Sequence, residues 1–154
     1  MSLARRAGER VGLQSPFNNS CAVRRNFKQN MSAATKQRRV ALVTGAGRRI
    51  GRAISLGLAA DGWDLALHFH GSQAETDALV TEISAHGVKA VALRCDLENA
   101  GQVSGLIAEC EHRLGTPTCL VNNAALFEYD DIGSLETQRW HRHLDVNLLA
   151  PLLL

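Results

Sequence analysis

A chain of 154 residues, 45% hydrophobic and 21% charged, is long enough to bury one real core and has the composition of an ordinary globular domain. No window approaches the roughly 18 uninterrupted apolar residues of a membrane span, and the segment before Met31 lacks the apolar centre of a secretory signal, so neither is expected. The net charge of +2 conceals an asymmetry: residues 1–39 hold nine Lys or Arg against Glu9 alone, and residues 40–154 hold eight against fourteen acids, so the folded part is acidic and nucleic acid is not an expected partner.

Residues 1–38 are rich in Arg, Asn, Ser and Gln with little to bury, and are expected to form a disordered basic leader. Three readings stay open for it: sequence translated ahead of a true start at Met31, an organellar presequence, or a basic arm for anionic partners. The first is preferred, with a cytoplasmic location; the second would make the location organellar. Cys21, Cys95, Cys110 and Cys119 show no C-x-x-C and no pairing with histidine, so they are expected to be buried, reduced thiols, and no metal site is expected.

The first strand is predicted at Val40–Val43, a short apolar run that suits burial on both faces of a parallel sheet. Gly45 and Gly47 then let the backbone turn tightly and approach a ligand. A helix follows from Ile50 to Ala60 with Ile50, Ile54, Leu58 and neighbouring small residues on one stripe, so its free amides point at the turn and a diphosphate is the natural occupant. The glycines stand at 45, 47 and 51 and do not match G-x-G-x-x-G, so this motif by itself is weak.

A second strand is predicted at Trp63–Phe69, a helix at Ala74–His86 on Leu79, Val80 and Ile83 with Gly87 as its stop, and a third strand at Val88–Leu93. A helix at Ala100–Leu114 carries Val103, Leu106, Ile107 and Cys110 as its stripe. Thr118–Val121 reads as the fourth strand, and Gln138–Leu154 as a last helix with Trp140, Leu144, Asn147 and Leu148 along one side. This alternation, with right-handed crossovers, predicts an α/β fold: a Rossmann-type doubly wound parallel sheet. Ligands of such sheets sit outside the carboxyl ends of the strands. The glycine turn, His70-Gly-Ser72, Asp96-Leu97 and Asn122-Asn-Ala-Ala125 all fall there. No acid stands at the end of the second strand to accept from a ribose hydroxyl pair; His70 and Ser72 can donate to a 2′-phosphate, with Arg48 and Arg49 in the adjacent turn. NADPH is therefore preferred over NADH.

Thr44-Gly-Ala-Gly-Arg-Arg-Ile-Gly51, Asp96-Leu97, Asn122-Asn-Ala124 and Asn147 within Val146-Asn-Leu together resemble the short-chain dehydrogenase/reductase family over residues 40–154. Arg49, in place of the glycine usual in the middle of the turn, and the run Leu67-His-Phe-His-Gly-Ser72 resemble the pteridine reductase branch, which reduces biopterin- or folate-type rings with NADPH. The resemblance implies that Gly45, Arg48, Arg49 and Ile50 line the diphosphate in a turn completed by Gly47 and Gly51. It implies further that His70 and Ser72 hold the 2′-phosphate, Asp96 and Leu97 the adenine, and Asn122 and Ala124 the ribose and nicotinamide side. Phe127 matches the aromatic that sandwiches the pterin, with loop packing as the alternative, and Arg49 is placed to reach the substrate too. Asn147 would support a catalytic lysine through backbone or water. Two positions depart from the branch: Ala125 stands where a serine is usual, and Gly71 where an arginine is common.

In this family a Tyr-x-x-x-Lys pair delivers the proton. Tyr129 is the sole tyrosine and has Gly133 four residues on, so no catalytic residue is assigned and the chain is expected to be the N-terminal, nucleotide-binding half of a longer enzyme. The apolar ending Leu148–Leu154 fits that expectation. The implied function is an NADPH-dependent oxidoreductase of pteridine reductase type, acting on a small pterin-like or carbonyl substrate and homo-oligomeric when complete. Two alternatives stay open: a non-catalytic nucleotide-binding or subunit-pairing fragment, and a general carbonyl or 3-oxoacyl-type reductase of the same family.

Overall fold

The computed structural model describes residues 38–154; of the basic leader, residues 1–37, with Cys21 and Met31, lie outside the described residues. Four strands, β1 (Val40–Val43), β2 (Asp64–Phe69), β3 (Ala90–Arg94) and β4 (Cys119–Val121), form one parallel sheet in the order β3-β2-β1-β4. Four helices follow them in turn: α1 (Arg49–Ala60), α2 (Gln73–Ser84), α3 (Ala100–Arg113) and α4 (Thr137–Leu144). The last continues through a π-helical turn (Asp145–Leu149) into α5 (Ala150–Leu153). This is the doubly wound α/β sheet that the alternation of elements predicts.

β1 is an unbroken apolar run because both its faces are covered. Val40 and Leu42 look into one core with Leu93, Val103, Leu106, Cys110 and Val146, while Ala41 and Val43 look into the other with Ala59, Leu65, Leu67, Leu79 and Ile83. The four β1 residues are at most 2% exposed. Burying a side chain the size of Leu42 contributes about 1.5–3 kcal/mol, so the central strand anchors whatever follows it. Val43 pairs with Leu67 and Val121, and Leu67 with Ala92, which brings the carboxyl ends of all four strands level.

The structure corrects the expected faces of two helices. On α1 the deepest residues are Gly51, Ser55 and Ala59, not Ile50, Ile54 and Leu58, and Ile50 is 69% exposed. The reason is proximity: α1 lies so close to the turn that only small side chains fit on its inner face. On the last helix Val146 and Ala150 are buried while Trp140, Leu144 and Leu148 are 50%, 37% and 55% exposed. The expected single helix is interrupted: Ala150 N–H donates to Asp145 O, five residues back, and Pro151 has no N–H to offer Asn147. The wider turn rotates the following face, and α5 packs against α3. α2 ends at Ser84, ahead of a left-handed Gly87 with φ +78°. Cys95 and Cys110 are buried and Cys119 half-buried, all as free thiols; burial pushes the Cys110 thiol up to about 11.

Candidate active site

The level strand ends gather four short segments round the glycine turn. Thr44, 1% exposed, is the hub: its hydroxyl oxygen accepts from Asn123 N (2.9 Å) and Ala124 N (3.0 Å) and its proton goes to Val121 O (3.3 Å). Asn123 returns the contact, its amide donating to Thr44 O (2.9 Å) and Gly45 O (3.1 Å). The asparagine that ties β4 to the turn is thus Asn123, whereas Asn122 is exposed. Gly45 has φ +62°, and a Cβ there would lie 3.0 Å from Ala124 Cα, so the position requires glycine twice over.

The amides of the turn divide into two groups. Thr44 N–H goes to Val121 O, Gly45 N–H to His68 Nδ1 (3.2 Å) and Ala46 N–H to His68 O (3.0 Å). The first backbone bond of α1 is Arg52 N–H to Arg48 O (3.3 Å), which leaves the amides of Arg49, Ile50 and Gly51 at the open end of the helix. No side chain caps them and no acid stands in the first turn. A side-chain cap is worth about 1 kcal/mol to a helix, and this end lacks one; its amides and positive dipole end suit an anion. Gly45 therefore shapes the turn rather than donating to a phosphate, because its N–H is already spent. Arg49 holds φ +48°, a left-handed conformation that glycine adopts without strain.

Arg48 and Arg49, adjacent in sequence, are placed differently. Arg48 is paired with Glu75 on α2, its Nε 2.9 Å from Oε1, and Arg52 with Glu82. Glu75's own amide and then Arg48 hold that carboxyl below its ordinary value. Arg49 has no such partner among the described residues. Together these side chains, with Gly47, line a groove of about 480 Å³ between α1 and α2. A Cβ on Gly47 would stand 2.6 Å from Thr76 Oγ1 and 2.8 Å from Ser72 Oγ, which places Ser72 against the turn. His70 is exposed, its Nδ1 3.9 Å from Asp96 Oδ1, and that oxygen also accepts Glu98 N–H at 3.0 Å. Leu97 follows Asp96, and its side chain, 7% exposed, packs in the core.

The loop after β4 presents Phe127, 85% exposed among the described residues. Its neighbours on both sides are pinned. Asn147, itself exposed, accepts Leu126 N–H and donates to Leu126 O, both at 2.8 Å, so its amide is tied to the loop at both ends. Glu128 N–H donates to His143 Nε2 (3.0 Å), and its carboxylate receives Arg142 (3.0 Å), which also bridges both Glu98 oxygens at 3.1 Å. Ala124 is half-buried and Ala125 exposed beside the same loop.

Thr44, His68, Asn123, Glu75 and Arg142 were not singled out as site residues from the sequence. Thr44 and Asn123 sat inside motifs read for their neighbours; His68 carried one signal, a polar residue in a strand otherwise covered on both faces. Among the described residues no three His, Cys, Asp or Glu stand close enough to hold a metal, and no helix is long and apolar enough to cross a membrane.

Comparison with known proteins matches residues 39–154 to the short chain dehydrogenase family model. The chain is 37% identical over 113 residues to 3-oxoacyl-[acyl-carrier-protein] reductase FabG of Staphylococcus aureus, covering 73% of this chain and 46% of that protein. Among solved structures it is similar to FolM alternative dihydrofolate reductase 1 from Brucella suis in complex with NADP (39% identity, TM-score 0.71, 75% of this chain and 48% of that one). It is also similar to a blue fluorescent protein from a metagenomic library in complex with NADPH (36% identity, TM-score 0.72, 75% and 47%). The chain spans about half the length of the relatives it matches. A family model that runs from the residue before β1 to the last residue, over a sheet whose strand ends converge on the glycine turn, means that this chain belongs to the short-chain dehydrogenase family of oxidoreductases.

Proposed function

We propose that residues 39–154 form the NADP(H)-binding part of an NADPH-dependent oxidoreductase of pteridine reductase type. One observation carries the reading: an uncapped helix end offering the amides of Arg49, Ile50 and Gly51 stands beside a β2 end that offers His70 and Ser72 and no carboxylate. The donor set fits a dinucleotide phosphate. Helix amides and Arg49 suit the diphosphate, and His70, Ser72 and the Arg48 guanidinium, once exchanged from Glu75, suit a 2′-phosphate. Asp96 and the Leu97 main chain face the adenine side, and Asn122 and Ala124 the ribose and nicotinamide side. When bound, the coenzyme supplies the hydride; these side chains bind and orient it. Phe127, held out between two pinned neighbours, offers a flat face to a flat heteroaromatic ring, and the resemblance to a dihydrofolate-reducing protein supports a pterin-like substrate.

A general carbonyl or 3-oxoacyl-type reductase is the second reading, supported by the identity to FabG and by Ala125 and Gly71. Both readings share the coenzyme. Calorimetric titration should show NADPH binding at least about tenfold more tightly than NADH, roughly one charge-assisted contact's worth; equal affinities refute the assignment of His70 and Ser72. Turnover is not expected of these 154 residues, whose sole tyrosine lacks a partner lysine four residues on. NADPH absorbance should stay constant with dihydrobiopterin and with a 3-oxoacyl thioester, and decay with either would overturn the account of the proton donor.

A further inference from the structure

His68 is the polar residue that the crevice buries most deliberately. It is 2% exposed on β2, yet both ring nitrogens are engaged: Nδ1 accepts Gly45 N–H at 3.2 Å, and Nε2 stands 3.1 Å from the Cys95 carbonyl oxygen. An amide N–H only donates and a carbonyl oxygen only accepts, so this pair of contacts admits one species, the neutral ring with its proton on Nε2. The residue's own carbonyl takes Ala46 N–H at 3.0 Å. One residue thus draws two successive amides of the turn toward β2, and the amides beyond them are left to face outward.

We propose that His68 is a positioning residue: locked as the Nε2–H form between Cys95 and Gly45, it holds the glycine turn in the shape that leaves the Arg49, Ile50 and Gly51 amides free for an anion. The coenzyme named as that anion rests on the functional reading above, but the state of the ring does not. An imidazolium would set a second N–H against the Gly45 N–H, donor facing donor, and the turn would have to release it. Burial pushes the ring's pKa down, the Cys95 carbonyl opposes that, and His70 adds to it. The other charged or titratable groups on the segments meeting here are the Cys95 thiol and Asp96 past β3, and Arg48 and Arg49 on the turn. Asp96 lies beside His70, its Oδ1 3.9 Å from the His70 Nδ1 and accepting the Glu98 amide, and Arg48 and Arg49 are cations that oppose a second positive charge on the ring.

The experiment uses the 154-residue chain labelled with 15N-histidine and with the Gly45 amide assigned. One buried ring should keep a bare Nδ1 and a protonated Nε2 from pH 8 down past the ordinary histidine value of 6.5, and the Gly45 amide signal should move only with that ring. An Nδ1–H form, or a Gly45 signal indifferent to the ring, overturns the proposal. NADPH calorimetry at pH 8 then separates positioning from bulk. His68→Asn keeps an oxygen where Nδ1 accepts and should bind within about twofold of the parent chain, and His68→Gln keeps a donor for Cys95 but no acceptor for Gly45 and should lose roughly five- to tenfold, the worth of one hydrogen bond. Equal losses, or none in either, count against it. Where neither variant folds, the parent chain decides: its NADPH affinity must weaken at the same midpoint as the ring titrates. A parent chain that binds no NADPH at pH 8 sinks the functional reading instead, and the labelled spectra still decide the role of His68 in the turn.

Discussion

Two glycines on α1 should respond to alanine in opposite directions. A Cβ on Gly51 would stand 2.2 Å from Gly45 O, 2.6 Å from Asn123 Nδ2 and 3.0 Å from Ala46 Cα, and two of these three are main-chain atoms that cannot rotate away. Either α1 retreats from the turn or Asn123 lets go of Gly45 O. Overpacking of this kind costs about 1–3 kcal/mol, and the lost hydrogen bond about 1 kcal/mol more. The better helix propensity of alanine offsets about 0.5–1 kcal/mol of that. The net expectation for Gly51→Ala is a loss of about 2 kcal/mol, roughly 8 °C in Tm for a folded part of this size, together with a weaker grip on NADPH. Gly57, six residues along the same helix, meets nothing within 4 Å. Gly57→Ala should therefore gain about 0.5–1 kcal/mol and leave coenzyme affinity alone. Thermal melts and calorimetric titrations of the two variants side by side make the comparison. If Gly51→Ala melts at or above the parent chain, the close approach of helix and turn is not what holds this site.

Arg49→Gly should relieve the left-handed φ of +48° and raise stability by roughly 0.5–1 kcal/mol after the extra chain entropy of glycine, while weakening NADPH through the lost charge; a lower Tm would show that Arg49 is not strained. Phe127→Ala should change unfolding free energy by less than about 0.5 kcal/mol, because the ring is 85% exposed, and a larger loss in a urea titration would mean that it packs after all. Stability should also fall as the solution is acidified below about pH 6.5. The unfolded chain takes up a proton at His68 near its ordinary 6.5, and the folded chain, whose pKa is lowered, resists it, so that contribution is fully present above 6.5 and lost below it. Glu75 and Asp131 are held below their ordinary 4.5 and 3.8 and act only in that more acidic window. Urea midpoints at pH 8, 7, 6 and 5 should thus drop between 7 and 5 in the parent chain and stay flatter in His68→Asn.

The α/β alternation was legible because each element's burial is written in its own residues: Val40–Val43 buries two faces and reads as an unbroken apolar run, and Val103, Leu106 and Cys110 bury one face and recur at helical spacing. The same rule misled at α1 and at the last helix. Periodicity marks a stripe, not how near the neighbouring backbone stands, so it did not show that the small residues Gly51, Ser55 and Ala59 lie deeper than Ile50, Ile54 and Leu58. At the other end, Val146 and Ala150 turn inward while Trp140, Leu144 and Leu148 stay outside, on a helix that a π-helical turn interrupts ahead of Pro151.

Within the crevice, sequence alone determined the glycine turn, the absence of an acid at the end of β2, and the segments that would meet at the strand ends, since each depends on residue type and spacing along one stretch of chain. Which groups in those segments remain available was decided only by tertiary structure. Gly45 N–H is taken by a histidine 23 residues away, Arg48 by a glutamate 27 away, and both ends of the Asn147 amide by Leu126. A hydrogen-bonding group satisfied inside the protein must give up that partner before it serves a ligand, and the partner that satisfies it is brought near by the sheet rather than by its place in the chain.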